Sequence, residues 1–405
     1  MKRWQDRRLW ALFANSAYAL SSFLLGWLLL LQGNNTVYGA FAFYLVLQAF
    51  AYSLSNALFG APLLIASRHG EVSPGTVRPM LALAFLLALL FAAVQGVVLW
   101  LQGVAADAVV LLLCSSVLLQ LRWFCRCVQQ NDAPAQVIAA DLSFSLTALA
   151  GAALIWWLQW VTISSSGLIL MVAAIAGLWP CRRLLQAAVQ ARSDWRLCRH
   201  GYQQQGKPAL FGVLTAELTA NSHQYLIVLL QGAAAFAPVA AAGLFLRPMT
   251  LVQSSLAQIE RPRLARAAAA ADGATLRALW RSFIWLNLLA FVLNLLVLLL
   301  LLWLAPTWLW PEQSSWSSFI ACVGFIAAAA LLRSIRSPAC TLLQAVDQFH
   351  YLARVTWRAS LVTLPLVLLG LYCGGLWGAL FAMLLGECAV AIPAIRRCRR
   401  VLAQY

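Results

Sequence analysis

CRRLLQAAVQARSDWRLCRHGYQQQGK, residues 181 to 207, is the longest gap between apolar runs in this chain. It carries Arg182, Arg183, Arg192, Arg196, Arg199 and Lys207 against the single acid Asp194. Working outward from it, six apolar runs lie on either side. The remaining basic residues, Arg247 apart, fall in alternate gaps. Lys2, Arg3, Arg7 and Arg8 precede the first run, Arg68 and Arg78 follow the second, and Arg122 and Arg126 close the fourth. Beyond the central gap come Arg261, Arg263, Arg266, Arg277 and Arg281, then Arg333, Arg336, Arg354 and Arg358, then Arg396, Arg397, Arg399 and Arg400. The gaps between these groups hold no basic residue. Alternation of this kind is the positive-inside pattern of a repeatedly crossed membrane. It predicts an all-α polytopic membrane protein with twelve transmembrane helices and both termini in the cytoplasm.

A helix needs roughly 20 apolar residues to cross about 30 Å of hydrocarbon. The spans are placed near 10–31, 37–59, 80–102, 107–127, 135–158, 161–180, 208–230, 238–259, 279–304, 316–335, 351–373 and 376–395. The expected organisation is a six-helix lobe at 1–180, a basic cytoplasmic linker at 181–207 and a second six-helix lobe at 208–405. A chain that is 63% hydrophobic and 10% charged leaves almost nothing for a water-soluble domain. The net charge of +16 is read as topogenic, facing the anionic cytoplasmic leaflet, and nucleic acid is not expected as a partner. The first span follows a basic segment but is too long for a signal peptide, and is expected to be retained. Trp100, Trp156, Trp157, Trp160, Trp303, Trp308, Trp310, Trp316 and Trp377 crowd the outer ends as an interfacial aromatic belt.

Equal halves suggest a duplicated carrier. Ala14-Asn15-Ser16 in the first span matches Ala220-Asn221-Ser222 in the seventh, and each leads on to a Gln-Gly pair, Gln32-Gly33 and Gln231-Gly232. Six spans per half make the repeats parallel. Asn15 and Asn221 are therefore candidate substrate contacts.

The chemistry of soluble catalysis is missing. With Lys2 and Lys207 as the lysines, no phosphate-binding loop motif is present. No zinc or serine-hydrolase motif occurs, and the ten cysteines follow no metal or disulfide pattern. Neither a metal nor a cofactor is expected, and the short outer gaps argue against an enzyme.

Ionisable groups inside the spans are expensive and mark function or structure. Arg247 lies about nine residues into the eighth span, roughly 14 Å deep at 1.5 Å per residue. It either pairs with a buried acid such as Glu217 or holds an anion in a wet cavity, since a guanidinium fork matches phosphate oxygens. Glu217, Asp141 and Glu387 are candidates to carry a coupling ion, or are structural hydrogen-bonding groups. Arg122 and Arg126 share a helix face near the cytoplasmic end of the fourth span. They either snorkel to lipid headgroups or guard the cytoplasmic mouth of a cavity. Pro62, Pro248 and Pro365 interrupt spans two, eight and eleven.

Three stretches carry a family likeness. They are Asn15 to Gly39 with Asn34-Asn35, the run Gly243-Leu244-Phe245-Leu246-Arg247-Pro248-Met249 continuing to Glu260-Arg261-Pro262-Arg263-Leu264-Ala265, and Gly375-Leu376-Trp377-Gly378-Ala379-Leu380. Here the chain resembles the multidrug/oligosaccharidyl-lipid/polysaccharide (MOP) exporter superfamily, and within it the polysaccharide flippases of Wzx type. The resemblance implies two lobes around a central cavity and alternating access. It implies a lipid-linked glycan as substrate, an arginine on the lipid pyrophosphate or acidic sugar, and membrane lipids around the protein. It also implies a polysaccharide polymerase and glycosyltransferases as functional partners in a bacterial inner membrane. That role is carried to Arg247. The alternatives are a cation-coupled multidrug exporter of the MATE branch and a membrane polymerase or ligase of polysaccharide synthesis.

Overall fold

The computed structural model describes residues 17–31, 34–68, 72–310 and 316–404. All regular structure among them is helical. Nine helices among the described residues are long and apolar enough to cross a membrane, beside the shorter apolar Ala17–Leu31 and the more polar Lys207–Gln231. We number the principal helices α1 Ala17–Leu31, α2 Asn35–Ser55, α3 Pro74–Leu101, α4 Ala106–Asp132, α5 Pro134–Trp157 and α6 Ile163–Leu178. The second set is α7 Lys207–Gln231, α8 Ala233–Ala269, α9 Gly273–Leu304 and α10 Trp316–Ala345. Phe349–Gln404 is two helices, α11 (349–374) and α12 (376–404), joined at Gly375. The chain forms two compact units, Met1–Val213 and Leu214–Tyr405.

Helix starts follow local chemistry. Asn34 caps α2 by accepting from the Val37 amide, and Ser73 and Thr76 form a reciprocal capping box on α3. Thr162 and Ser165 do the same on α6. Asp272 caps α9, and hydrogen bonds from Thr275 hold its carboxyl below the usual range. Pro62 has no N–H for the helical ladder. The chain absorbs it with a π-turn, Asn56–Gly60, in which the Ala61 amide reaches back to the Asn56 carbonyl, before helix resumes over Ala61–Arg68. Pro248 and Pro365 lie inside unbroken helix.

Turns between helices are tight. Gly232, at φ 88, is the sole residue between α7 and α8, a left-handed position that suits glycine. Gly375, at φ 57, reverses the chain between α11 and α12. A Cβ on Gly370 would sit 2.4 Å from the Gly378 carbonyl oxygen, and one on Gly386 would sit 2.5 Å from Thr363 Oγ1. The two helices of this hairpin therefore meet backbone to backbone, the small-residue contact of membrane helices.

Within the first unit, buried polar groups link helices. Gln48 Oε1 of α2 accepts from Gln95 Nε2 of α3 at 3.2 Å and from Ser116 Oγ of α4 at 2.9 Å. In the second unit, Gln253 Nε2 of α8 donates to Ser334 Oγ of α10 at 2.9 Å. Much of α9 faces outward with Leu289, Val292, Leu293, Leu296 and Leu300 exposed, as lipid contact requires. Trp100, Trp157, Trp160 and Trp303 are exposed, but Trp310 is buried and stacked on Phe319 at 4.8 Å. It packs inside its unit and does not belong to the expected belt.

The basic gap is more ordered than a linker. It opens with a 3-10 turn and the helix Arg182–Gln190, whose Ala188 is buried against Val77, Met80 and Phe124. The Asp194 amide donates to the Gly75 carbonyl at 3.0 Å, tying this segment to the start of α3.

Candidate functional site

Each unit holds one acid gripped by two arginines. In the first, Arg122 and Arg126 sit one turn apart on α4, and Asp141 faces them from α5. Ala133 joins the two helices, so residues about equally far from that turn come level. Arg122 Nη1 donates to Asp141 Oδ1 at 2.7 Å, and Arg126 Nη1 lies 3.1 Å from Oδ2. Arg122 is 2% exposed, with its guanidinium carbon 4.9 Å from the Tyr18 ring centre and 4.4 Å from that of Phe144. Its Nε and Nη2 meet no hydrogen-bond acceptor. The aromatic faces supply the remaining attraction, a contribution of about 2 kcal/mol when desolvated. Room for the side chain comes from Gly177, where a Cβ would stand 2.7 Å from Arg122 Cδ. Arg122 therefore does not snorkel to headgroups, because both its charge and its stem are enclosed. Asp141 has both oxygens taken by guanidinium groups, which leaves it a structural counter-ion.

In the second unit, Arg333 and Arg336 stand one turn apart on α10, and Glu387 reaches them from α12. Arg333 Nε donates to Glu387 Oε1 at 2.6 Å. Arg336 Nη1 lies 3.0 Å from Oε2 but is not aligned for a hydrogen bond. Glu387 is 1% exposed while the arginines are 29% and 22% exposed. As with Asp141, its two oxygens face guanidinium groups.

Glu217 on α7 is different. It accepts from Asn221 Nδ2 at 2.9 Å and from the Tyr225 hydroxyl, and Gln224 Nε2 donates to Asn221 Oδ1 at 3.1 Å. No arginine among the described residues lies within ion-pairing distance of it. The Arg247–Glu217 pair, one of the two arrangements the sequence allowed, does not form, and the carboxylate is held from its own helix. Asn221 is thus a partner of the acid it follows by one turn. Arg247 is half-buried on α8, and its carbonyl accepts from Thr250 Oγ1 at 2.8 Å. Asn15 lies outside the described residues. Among those residues no group of His, Cys, Asp and Glu is placed to hold a metal.

The sequence pointed to the Arg122–Arg126 face and, separately, to Asp141 and Glu387, and the structure brings the first three together. Arg333 and Arg336 were read as topogenic and their grip on Glu387 was missed. Position alone held a signal for the first cluster, since Arg122 and Asp141 flank one tight turn at similar distance. No such signal exists for Arg333 and Glu387, which a whole helix separates.

Among solved structures, the chain superposes on a multidrug-resistance MATE family transporter of the MOP superfamily in an inward-facing conformation. That match has a TM-score of 0.71 at 12% identity and covers 96% of this chain and 95% of the other. The fold is that of a MATE transporter. An outward-facing transporter of the same family matches with a TM-score of 0.63 at 13% identity, covering 98% and 94% of the two chains. MATE in a bent conformation matches at 0.60 with 12% identity over 98% and 94%. No protein-family model matches the sequence, and no curated protein matches it. The MATE fold agrees with the superfamily that the sequence resembles. At these identities the likeness shows the fold alone.

Proposed function

We propose that this chain is an alternating-access exporter of a bacterial cytoplasmic membrane that flips a lipid-linked oligosaccharide, with both termini on the cytoplasmic side. The observation that carries this reading is the sign of the charge held by the two clusters within the helices. Each cluster sets two guanidinium groups against one carboxylate. An interior with excess positive charge in low dielectric suits an anionic cargo and repels a cationic one. Arg247, deep in α8, is assigned to the pyrophosphate or acidic sugar, because its fork offers paired donors to two oxygens.

Glu217 supports a coupling role within the same scheme. Its bonds come from an amide and a phenol, so a coupling cation would not have to break an ion pair to reach it. The same observation favours the second reading, a cation-coupled multidrug exporter, whose named relatives share the fold. A chromosomal deletion separates the two. Loss of surface polysaccharide, with lipid-linked glycan accumulating in the inner leaflet, supports the flippase. Unchanged polysaccharide with heightened sensitivity to cationic dyes overturns it in favour of drug export.

A further inference from the structure

The Arg122–Asp141 half of the N-terminal cluster is closed, whereas Arg126 is 22% exposed. Arg122 is sealed between two rings, and Trp123 lies beside Arg126 with its ring centre 5.1 Å from the guanidinium carbon. Its C-terminal counterpart has the same charges but no such seal. Arg333 spends only its Nε on Glu387, and its two Nη groups meet no acceptor among the described residues. Arg336 offers one Nη to the same acid without hydrogen-bond alignment. In the same unit, on α7, His223 is 2% exposed. Neither of its ring nitrogens has a hydrogen-bond partner. A neutral imidazole always keeps one N–H to donate.

We propose that Arg333 and Arg336, held in place by Glu387, form an anion-binding clamp that takes a phosphate-class group, either free or on a lipid. Glu387 cancels one of the two positive charges and fixes the side chains, leaving a net single positive charge and an open guanidinium edge. A part-buried cation without a full counter-charge is costly to keep, and a phosphate offers acceptors to both arginines at once. The clamp is argued from this cluster and is read by binding, so failure of the flippase reading in a transport assay leaves it standing.

The test uses the full chain in dodecyl maltoside micelles, which carry no phosphate. Dissociation constants are measured by thermophoresis for inorganic pyrophosphate and for farnesyl pyrophosphate at fixed ionic strength. Saturable binding is expected, at least tenfold weaker in the Arg333→Gln/Arg336→Gln double variant. Glu387→Gln removes the negative charge and is expected to tighten binding several-fold, an effect a purely structural cluster would not produce. Arg333→Lys keeps the charge and is expected to retain partial affinity, which covers the case in which the double variant fails to fold. Similar affinity for the two probes assigns the site to a free anion, and much tighter farnesyl pyrophosphate binding assigns it to a lipid headgroup. No saturable binding, or equal constants for wild type, the double variant and Glu387→Gln, overturns the proposal.

Discussion

Two arginines one turn apart and one carboxylate from a later helix occur in each unit, at nearly the same position along α4 and α10. The exposure of the first arginine is what separates them, since Arg126 and Arg336 are both 22% exposed. Arg122 is 2% exposed between aromatic rings, whereas Arg333 is 29% exposed with its outer edge open. A sealed ion pair holds two helices at one register, and it does so because no competitor can reach it. An open one with surplus charge invites a ligand. The same three charges thus give a structural lock in one unit and a candidate site in the other, and packing around the guanidinium makes the difference.

The comparison predicts unequal costs when the acids are removed. Asp141→Ala strands two enclosed or part-enclosed guanidinium groups and is expected to cost about 3–5 kcal/mol, as for other broken buried pairs. A strong fall in melting temperature and in membrane abundance is the readout. Glu387→Ala is expected to cost about 2 kcal/mol, between buried and exposed pairs, because its arginines are 29% and 22% exposed. Equal losses for the two variants would erase the distinction between lock and open clamp.

Lysine substitutions sharpen the contrast further. Arg122→Lys keeps a charge but loses the flat group stacked between Tyr18 and Phe144, and is expected to cost about 1–2 kcal/mol. Arg333→Lys, with no ring of the described residues over its guanidinium, is expected to stay within about 0.5 kcal/mol of wild type. Tyr18→Leu keeps apolar bulk over Arg122 and removes the π face, for an expected loss of about 1 kcal/mol. Thermal melting in detergent ranks all three, and a larger effect from Arg333→Lys than from Arg122→Lys would reverse the account.

Much of the fold was legible because lipid imposes a simple rule: long apolar runs alternate with basic gaps. That rule also hid part of the chemistry. Arg122, Arg333 and Arg336 satisfy the positive-inside pattern, so their charges seemed explained before their partners were sought. The hairpin Gly370–Gly378 and the π-turn at Asn56 depend on backbone contacts that hydropathy does not encode. Span ends were short for a related reason: α8 and α10 continue as helix to Ala269 and Ala345, past the apolar stretch, on residues that pack with Leu264, Leu276 and Leu342. Glu217 was visible as a deep acid, but its grip by Asn221 and Tyr225 needed the helix itself.

The central claim is that the surplus of guanidinium in these helices serves an anionic, lipid-linked cargo. Purified protein in liposomes can be offered a fluorescent polyprenyl-pyrophosphoryl disaccharide and, separately, the cationic dye ethidium. The account predicts protein-dependent flipping of the lipid-linked sugar, reduced at least tenfold by Arg247→Ala and partly kept by Arg247→Lys, with no transport of the dye. Ethidium transport without movement of the sugar lipid, or wild-type flipping by a fully reconstituted Arg247→Ala protein, would contradict it.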